Sequence, residues 1–137
     1  MKNDTVLIVD DNIEFLADAM AFLINDMKIK VTCAFSREEA EEKIRKNKPE
    51  IVILDLGMNG WEKLSVLKDL RPEAPTVLMT SDCDNDDYPE LSRELGADAY
   101  CLKVRFTSAF PKLLKYLETG LDFPIYRKEM RLMKLKY

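Results

Sequence analysis

The sequence predicts a doubly wound α/β sandwich: parallel strands in one sheet, with helices packed on both faces. Three observations carry this. Short apolar runs alternate with amphipathic stretches five times along 137 residues. The third run, Ile51 to Leu54, is apolar at every position, as a strand buried on both faces requires. The runs also stop on side chains with distinctive chemistry, at the strand ends where open parallel sheets gather their ligands.

Each element has its own local warrant. The first strand is expected over 5–9, followed by a helix over 13–27, where Leu16, Met20, Leu23 and Met27 recur at helical spacing. A second strand, 30–35, leads to Ser36, which with Glu39 three residues on forms a capping box for a helix over 37–46. Asn47 to Pro49 closes that helix before a strand over 50–55, and a third helix is expected over 61–70, closed by Pro72 and Pro75. The fourth strand is placed at 76–80. Pro89 suits the first turn of a short helix over 89–95, and Gly96 its carboxyl-terminal cap. A fifth strand, 98–103, precedes a last helix over 109–118 that starts from Thr107 or Ser108. Residues 120–137 show a loose helical stripe of Ile125, Met130, Leu132, Met133 and Tyr137, expected to form a linker, a helix packed on the domain, or a partner-binding or dimer-forming helix.

Composition narrows the function. An apolar fraction of 47% with 34% charged residues suits a soluble domain, and no apolar stretch approaches the ~20 residues needed to span a bilayer. Cys33, Cys83 and Cys101 are widely spaced and odd in number, which fits free thiols in a reducing cytoplasm. The chain has no histidine, so imidazole metal ligands, Ser–His and Cys–His nucleophiles and a phosphohistidine carrier are excluded. The net charge of −4 divides unevenly: residues 1–119 are acidic and 120–137 carry five basic against two acidic side chains. An acidic body is a poor nucleic-acid binder, and five cations make a weak patch for nucleic acid or a membrane surface.

The strand ends carry the chemistry. The first strand stops on Asp10 and Asp11, the third on Asp55, the fourth on Thr80 and the fifth, after Tyr100-Cys101-Leu102, on Lys103. A cap for the following helix explains one of the paired acids. Three carboxylates brought together repel by a few kcal/mol at ~5 Å and an effective dielectric of ~20, unless a cation neutralises them. Mg²⁺, a hard ion that prefers oxygen ligands and keeps several waters, fits that need. Asp55 is the candidate nucleophile, because a carboxylate can form an acyl phosphate. Transfer to it requires neutralisation of the equatorial phosphoryl oxygens, which a metal, the Lys103 ammonium and the Thr80 hydroxyl could share.

The segments VLIVDDN (6–12), IVILDLGM (51–58), VLMTSD (77–82) and GADAYCLK (96–103) resemble, in that order, the receiver domain of two-component response regulators, over residues 4–119. The resemblance implies a single flavodoxin-like (βα)5 sandwich with strand order 2-1-3-4-5. It implies that Asp55 accepts a phosphoryl group from the phosphohistidine of a sensor histidine kinase or a phosphotransfer protein. It further implies Mg²⁺ held by Asp11, Asp55 and the Gly57 carbonyl with Asp10 close by or acting through water, Lys103 on the phosphoryl group, and Thr80 with Tyr100 as a switch pair. In that switch Thr80 is drawn toward the new phosphoryl group and the Tyr100 ring turns inward. The changed surface, over 89–118, would be read by a downstream target, an output domain or a second copy of the chain. Such a domain is a signalling module and not an enzyme, beyond assisting its own aspartyl phosphorylation and dephosphorylation.

Two departures from the family pattern set a second reading beside the first. The segment Leu56-Gly57-Met58 after Asp55 is short and lacks the usual proline, and Val104 stands where proline usually follows the lysine. These changes are expected to bear on the Gly57 carbonyl and on the aim of Lys103, and they motivate a phosphorylation-independent binding module as the alternative. Asp82, two residues past Thr80, is a candidate influence on acyl-phosphate hydrolysis. An aspartyl phosphatase is disfavoured because Asn12 occupies the third place of an Asp-x-Asp motif, and no glycine-rich phosphate cradle is present.

Overall fold

Alternation within each strand divides the core in two. The computed structural model describes residues 5–58 and 75–119, and the backbone of 126–127 and 132–134. Strands β1 (Thr5–Val9), β2 (Lys30–Ala34), β3 (Ile51–Asp55), β4 (Thr76–Ser81) and β5 (Ala99–Leu102) are parallel, in the order 2-1-3-4-5. Because neighbouring residues of a strand face opposite ways, Val6, Ile8, Ile51, Ile53 and Leu78 face one side of the sheet. Leu7, Val9, Val52, Leu54, Val77 and Met79 face the other. Every residue of β3 is buried, as its run without polar alternation predicts.

Helices α1 (Ile13–Ala21) and α4 (Phe106–Thr119) close the first layer with Leu16, Ala19, Phe106, Phe110 and Leu113. Helices α2 (Arg37–Asn47) and α3 (Tyr88–Leu95) close the second, where Ala40, Ile44, Tyr88 and Leu95 pack. The capping box at α2 forms: the Glu39 amide donates to Ser36 Oγ at 3.2 Å, and the Glu39 carboxylate reaches back to the Phe35 amide at 2.6 Å. Gly96 ends α3 in the left-handed region, at φ 105°. The helix expected over 61–70 lies outside the described residues.

Three boundaries differ from expectation. The first helix leaves α geometry at Phe22 and finishes in a π turn, Phe22–Asp26, in which the Met27 amide reaches the Phe22 carbonyl. That wider turn keeps Leu23 in the core and Phe22 edge-on to Phe106. The last helix begins at Phe106, ahead of Thr107 and Ser108, and runs through Pro111. Burial of Phe106, Ala109 and Phe110 outweighs the backbone bond that proline cannot make. Finally, the helical stripe of the last eighteen residues gives way to strands β6 (Tyr126–Arg127) and β7 (Leu132–Lys134). β7 pairs antiparallel with β5, and β6 with β7, so the sheet has seven strands among the described residues. A short apolar run does not by itself distinguish helix from strand, and the open row of amides and carbonyls on β5 supplies the deciding partner.

Candidate functional site

The parallel register brings the five singled-out strand ends together. Asp55 and Thr80 are register partners across β3 and β4, and Thr80 in turn pairs with Cys101 on β5. Asp10 follows the last residue of β1 and is tied to β2 through its amide, which donates to the Ala34 carbonyl at 3.1 Å. Asp10, Asp11 and Asp55 each offer a carboxylate oxygen, and these oxygens lie within 4.8 Å of one another. Asp10 and Thr80 are fully buried and Asp55 nearly so, while Asp11 is exposed.

Neither paired acid caps α1. The cap is Asn12, whose Oδ1 accepts from the Phe15 amide at 3.0 Å. Asp10 Oδ1 accepts the Asn12 amide at 2.9 Å, which fixes the carboxylate, and its Oδ2 is buried and faces the Lys103 ammonium at 2.8 Å. A sequestered carboxylate oxygen beside two further acids is the donor chemistry a hard divalent cation takes, so the residues present fit Mg²⁺.

Lys103 is the counter-charge inside the site. It sits on a 3-10 turn, Lys103–Arg105, directly after β5, and its Nζ lies 2.8 Å from Asp10 Oδ2, 3.4 Å from Asp55 Oδ1 and 3.4 Å from Asp82 Oδ1. Val104 in place of proline therefore does not turn the lysine away. Burial works against its charge, but the nearby Asp10, Asp55 and Asp82 carboxylates outweigh it and hold the ammonium above its ordinary range. Asp55 shows the opposite balance. Burial and the Asp10 charge push its carboxyl up, against the Gly57 amide and Lys103, which favour the ionised form. The Gly57 contact seen here is its N–H, which donates to Asp55 Oδ1 at 3.2 Å.

Thr80 and Tyr100 are both buried, on neighbouring strands. Thr80 Oγ1 donates to the Leu54 carbonyl at 3.3 Å. Tyr100 is 4% exposed and belongs to the core layer that holds Leu54 and Met79. Its hydroxyl lies 2.6 Å from Ser81 Oγ, and Ser81 Oγ donates to the Cys83 carbonyl at 2.9 Å, which leaves the phenol as donor. Burial raises the Tyr100 hydroxyl above its usual range. Ser81 was missed by the sequence reading, although its place directly after Thr80 at a strand end was the available signal. Phe15 was missed as well: its ring centroid lies 5.1 Å from Lys103 Nζ, a contact no spacing announces. Among the described residues no helix is long and apolar enough to cross a membrane.

Known structures share this fold. Solved structures similar to the chain include the BeF3-activated N-terminal receiver domain of RstA from Klebsiella pneumoniae. It is 28% identical, with TM-score 0.63, covering 87% of this chain and 99% of that one. The signal receiver domain of a DNA-binding response regulator from Colwellia psychrerythraea 34H is 24% identical, with TM-score 0.65 and coverages of 81% and 98%. The receiver domain of a Saccharomyces cerevisiae response regulator, solved with a histidine phosphotransfer signalling protein, shares the fold at 19% identity and TM-score 0.72, with coverages of 87% and 93%. The family model described as response regulator receiver domain matches residues 6–115, and the chain therefore belongs to that family, whose members act in phosphorylation-dependent two-component signalling.

Proposed function

We propose that Asp55 is the phosphoacceptor of this receiver and that its modification alters a protein-binding surface. The observation that supports this most directly is the convergence of three carboxylate oxygens within 4.8 Å around a site into which the Lys103 ammonium also reaches. In the transfer, an Asp55 carboxylate oxygen forms a bond to phosphorus while the phosphorus–nitrogen bond of a phosphohistidine donor breaks, and the released imidazole takes a proton. The donor is a sensor histidine kinase or a phosphotransfer protein.

Asp11, Asp55 and the Gly57 carbonyl would hold Mg²⁺, with Asp10 beside it or bound through water. When bound, the ion neutralises charge on the phosphoryl oxygens. Lys103 keeps an ammonium beside the acceptor oxygen. Thr80 has one hydroxyl proton, now given to the Leu54 carbonyl, and can redirect it to a phosphoryl oxygen. That exchange would disturb β4 next to Ser81, and through Ser81 the Tyr100 hydroxyl. The surface over 89–118 would carry the change to a downstream target, an output domain or a second copy. We assign residues 1–119 to the receiver and 120–137 to an extension, and place the protein in the cytoplasm, acting on no substrate but its own aspartate.

The test is incubation with Mg²⁺ and acetyl phosphate, read by intact mass, with Asp55→Ala as control. Mass gain by one phosphoryl group in the parent and none in the variant is the expected result. No gain that depends on Asp55 would sink the proposal in favour of a phosphorylation-independent binding module.

A further inference from the structure

We infer that Phe15 is a positioning residue for Lys103: the face of its ring fixes where the ammonium stands over the acids. This rests on the phosphoacceptor reading of Asp55 and deepens it by naming what holds the lysine that serves it. Three carboxylates lie within 3.4 Å of the buried Nζ, with Asp10 nearest at 2.8 Å and Asp55 and Asp82 both at 3.4 Å. The acids attract the ammonium without fixing its direction. Lysine is a compact charge on a flexible four-carbon stem, so attraction alone leaves several rotamers open. The Phe15 ring, 5.1 Å from Nζ to its centroid, lies within cation–π range and closes part of that space.

Phe15 can do this because its own ring is fixed. It meets Phe106 edge-to-face, with centroids 5.6 Å apart and planes at 78°. Phe106 is 2% exposed and packs on Phe110 at 5.3 Å and Phe22 at 6.2 Å. It also directly follows the turn that carries Lys103, so the ring that packs on Phe15 and the backbone that presents the lysine are three residues apart in the chain. The rest of that turn contributes no anchor: Val104 is 78% exposed and Arg105 is also at the surface. The Asn12 cap orients the other partner, because it bonds the Phe15 amide itself.

The test uses the full chain with Phe15→Leu, which keeps apolar bulk without a π face, and Phe15→Tyr, which keeps the face. In the parent, proton NMR should show nuclear Overhauser contacts between Phe15 ring protons and the Lys103 ε-methylene, whose signal is shifted upfield by the ring. That shift should vanish in Phe15→Leu and persist in Phe15→Tyr. With Mg²⁺ and acetyl phosphate, the maximal rate of Asp55 phosphorylation should fall about tenfold in Phe15→Leu, with little change in half-saturating acetyl phosphate, and recover in Phe15→Tyr. Absence of the ring contact in the parent overturns the inference without any variant, so a misfolded Phe15→Leu protein does not shelter it. Equal rates in Phe15→Leu and parent, or equal losses in both variants, also overturn it. A parent that gains no phosphoryl group defeats the proposed function, while the NMR contact still decides the role of Phe15.

Discussion

Replacing Lys103 by Met removes the ammonium that, among the described residues, contacts the buried acids, and keeps most of the aliphatic volume. At an effective dielectric of about 20, its attraction amounts to about 6 kcal/mol at the 2.8 Å separation from Asp10 and about 5 kcal/mol at the 3.4 Å separation from Asp55. Asp82, with a side chain 70% exposed, adds little because water screens it. Most of the attraction offsets desolvation, and breaking a buried pair costs about 3–5 kcal/mol net. We take about 3 kcal/mol, which lowers the melting temperature of a domain this size by about 10 °C. Circular dichroism melts in EDTA at neutral pH measure this.

The pH dependence has a defined sign. Burial already holds the Asp55 carboxyl above its ordinary value of 3.8, and loss of Lys103 pushes it further up. The folded variant therefore binds that proton more tightly than its unfolded chain, so the deficit is full above the folded-state value. It shrinks as pH falls toward 3.8. Added Mg²⁺ should recover about 2.7 kcal/mol at a concentration a hundred times its dissociation constant. Unchanged melting of Lys103→Met in EDTA, or a deficit that grows on acidification, would refute the argument that these acids depend on the lysine.

Other perturbations probe single contacts. Asn12→Ala removes the α1 cap and should cost about 1 kcal/mol in urea melts, without touching the backbone amide that holds Asp10. Tyr100→Phe deletes the phenol that donates to Ser81 and should cost about 1 kcal/mol in the same assay. In the native protein, iodoacetamide should label exposed Cys83 and leave Cys101, whose thiol burial pushes up to about 12. Peptide mass mapping should find Cys101 labelled only after unfolding.

The strand pattern was legible because it is local. Two-faced apolarity marked β3, the capping box marked α2, and Gly96 marked the end of α3; none of these depends on distant residues. The acids, the threonine and the lysine were also readable as strand-end residues, since a parallel sheet sends all its strand ends to one side. What each polar group bonds was not readable. Residue type alone suggested Asp10 or Asp11 as a cap, and only the folded backbone shows Asn12 in that place, leaving both acids beside Asp55. The π turn after Ala21, the early start of α4 at Phe106 and the burial of Tyr100 follow from packing between layers far apart in sequence. The last strands make the same point at the sheet edge: a run that reads as a helical stripe becomes β7 because β5 offers unpaired amides and carbonyls. Period and residue type determine which side of an element is apolar. Only tertiary contact decides which partner satisfies a polar group, because that partner is supplied by another part of the chain.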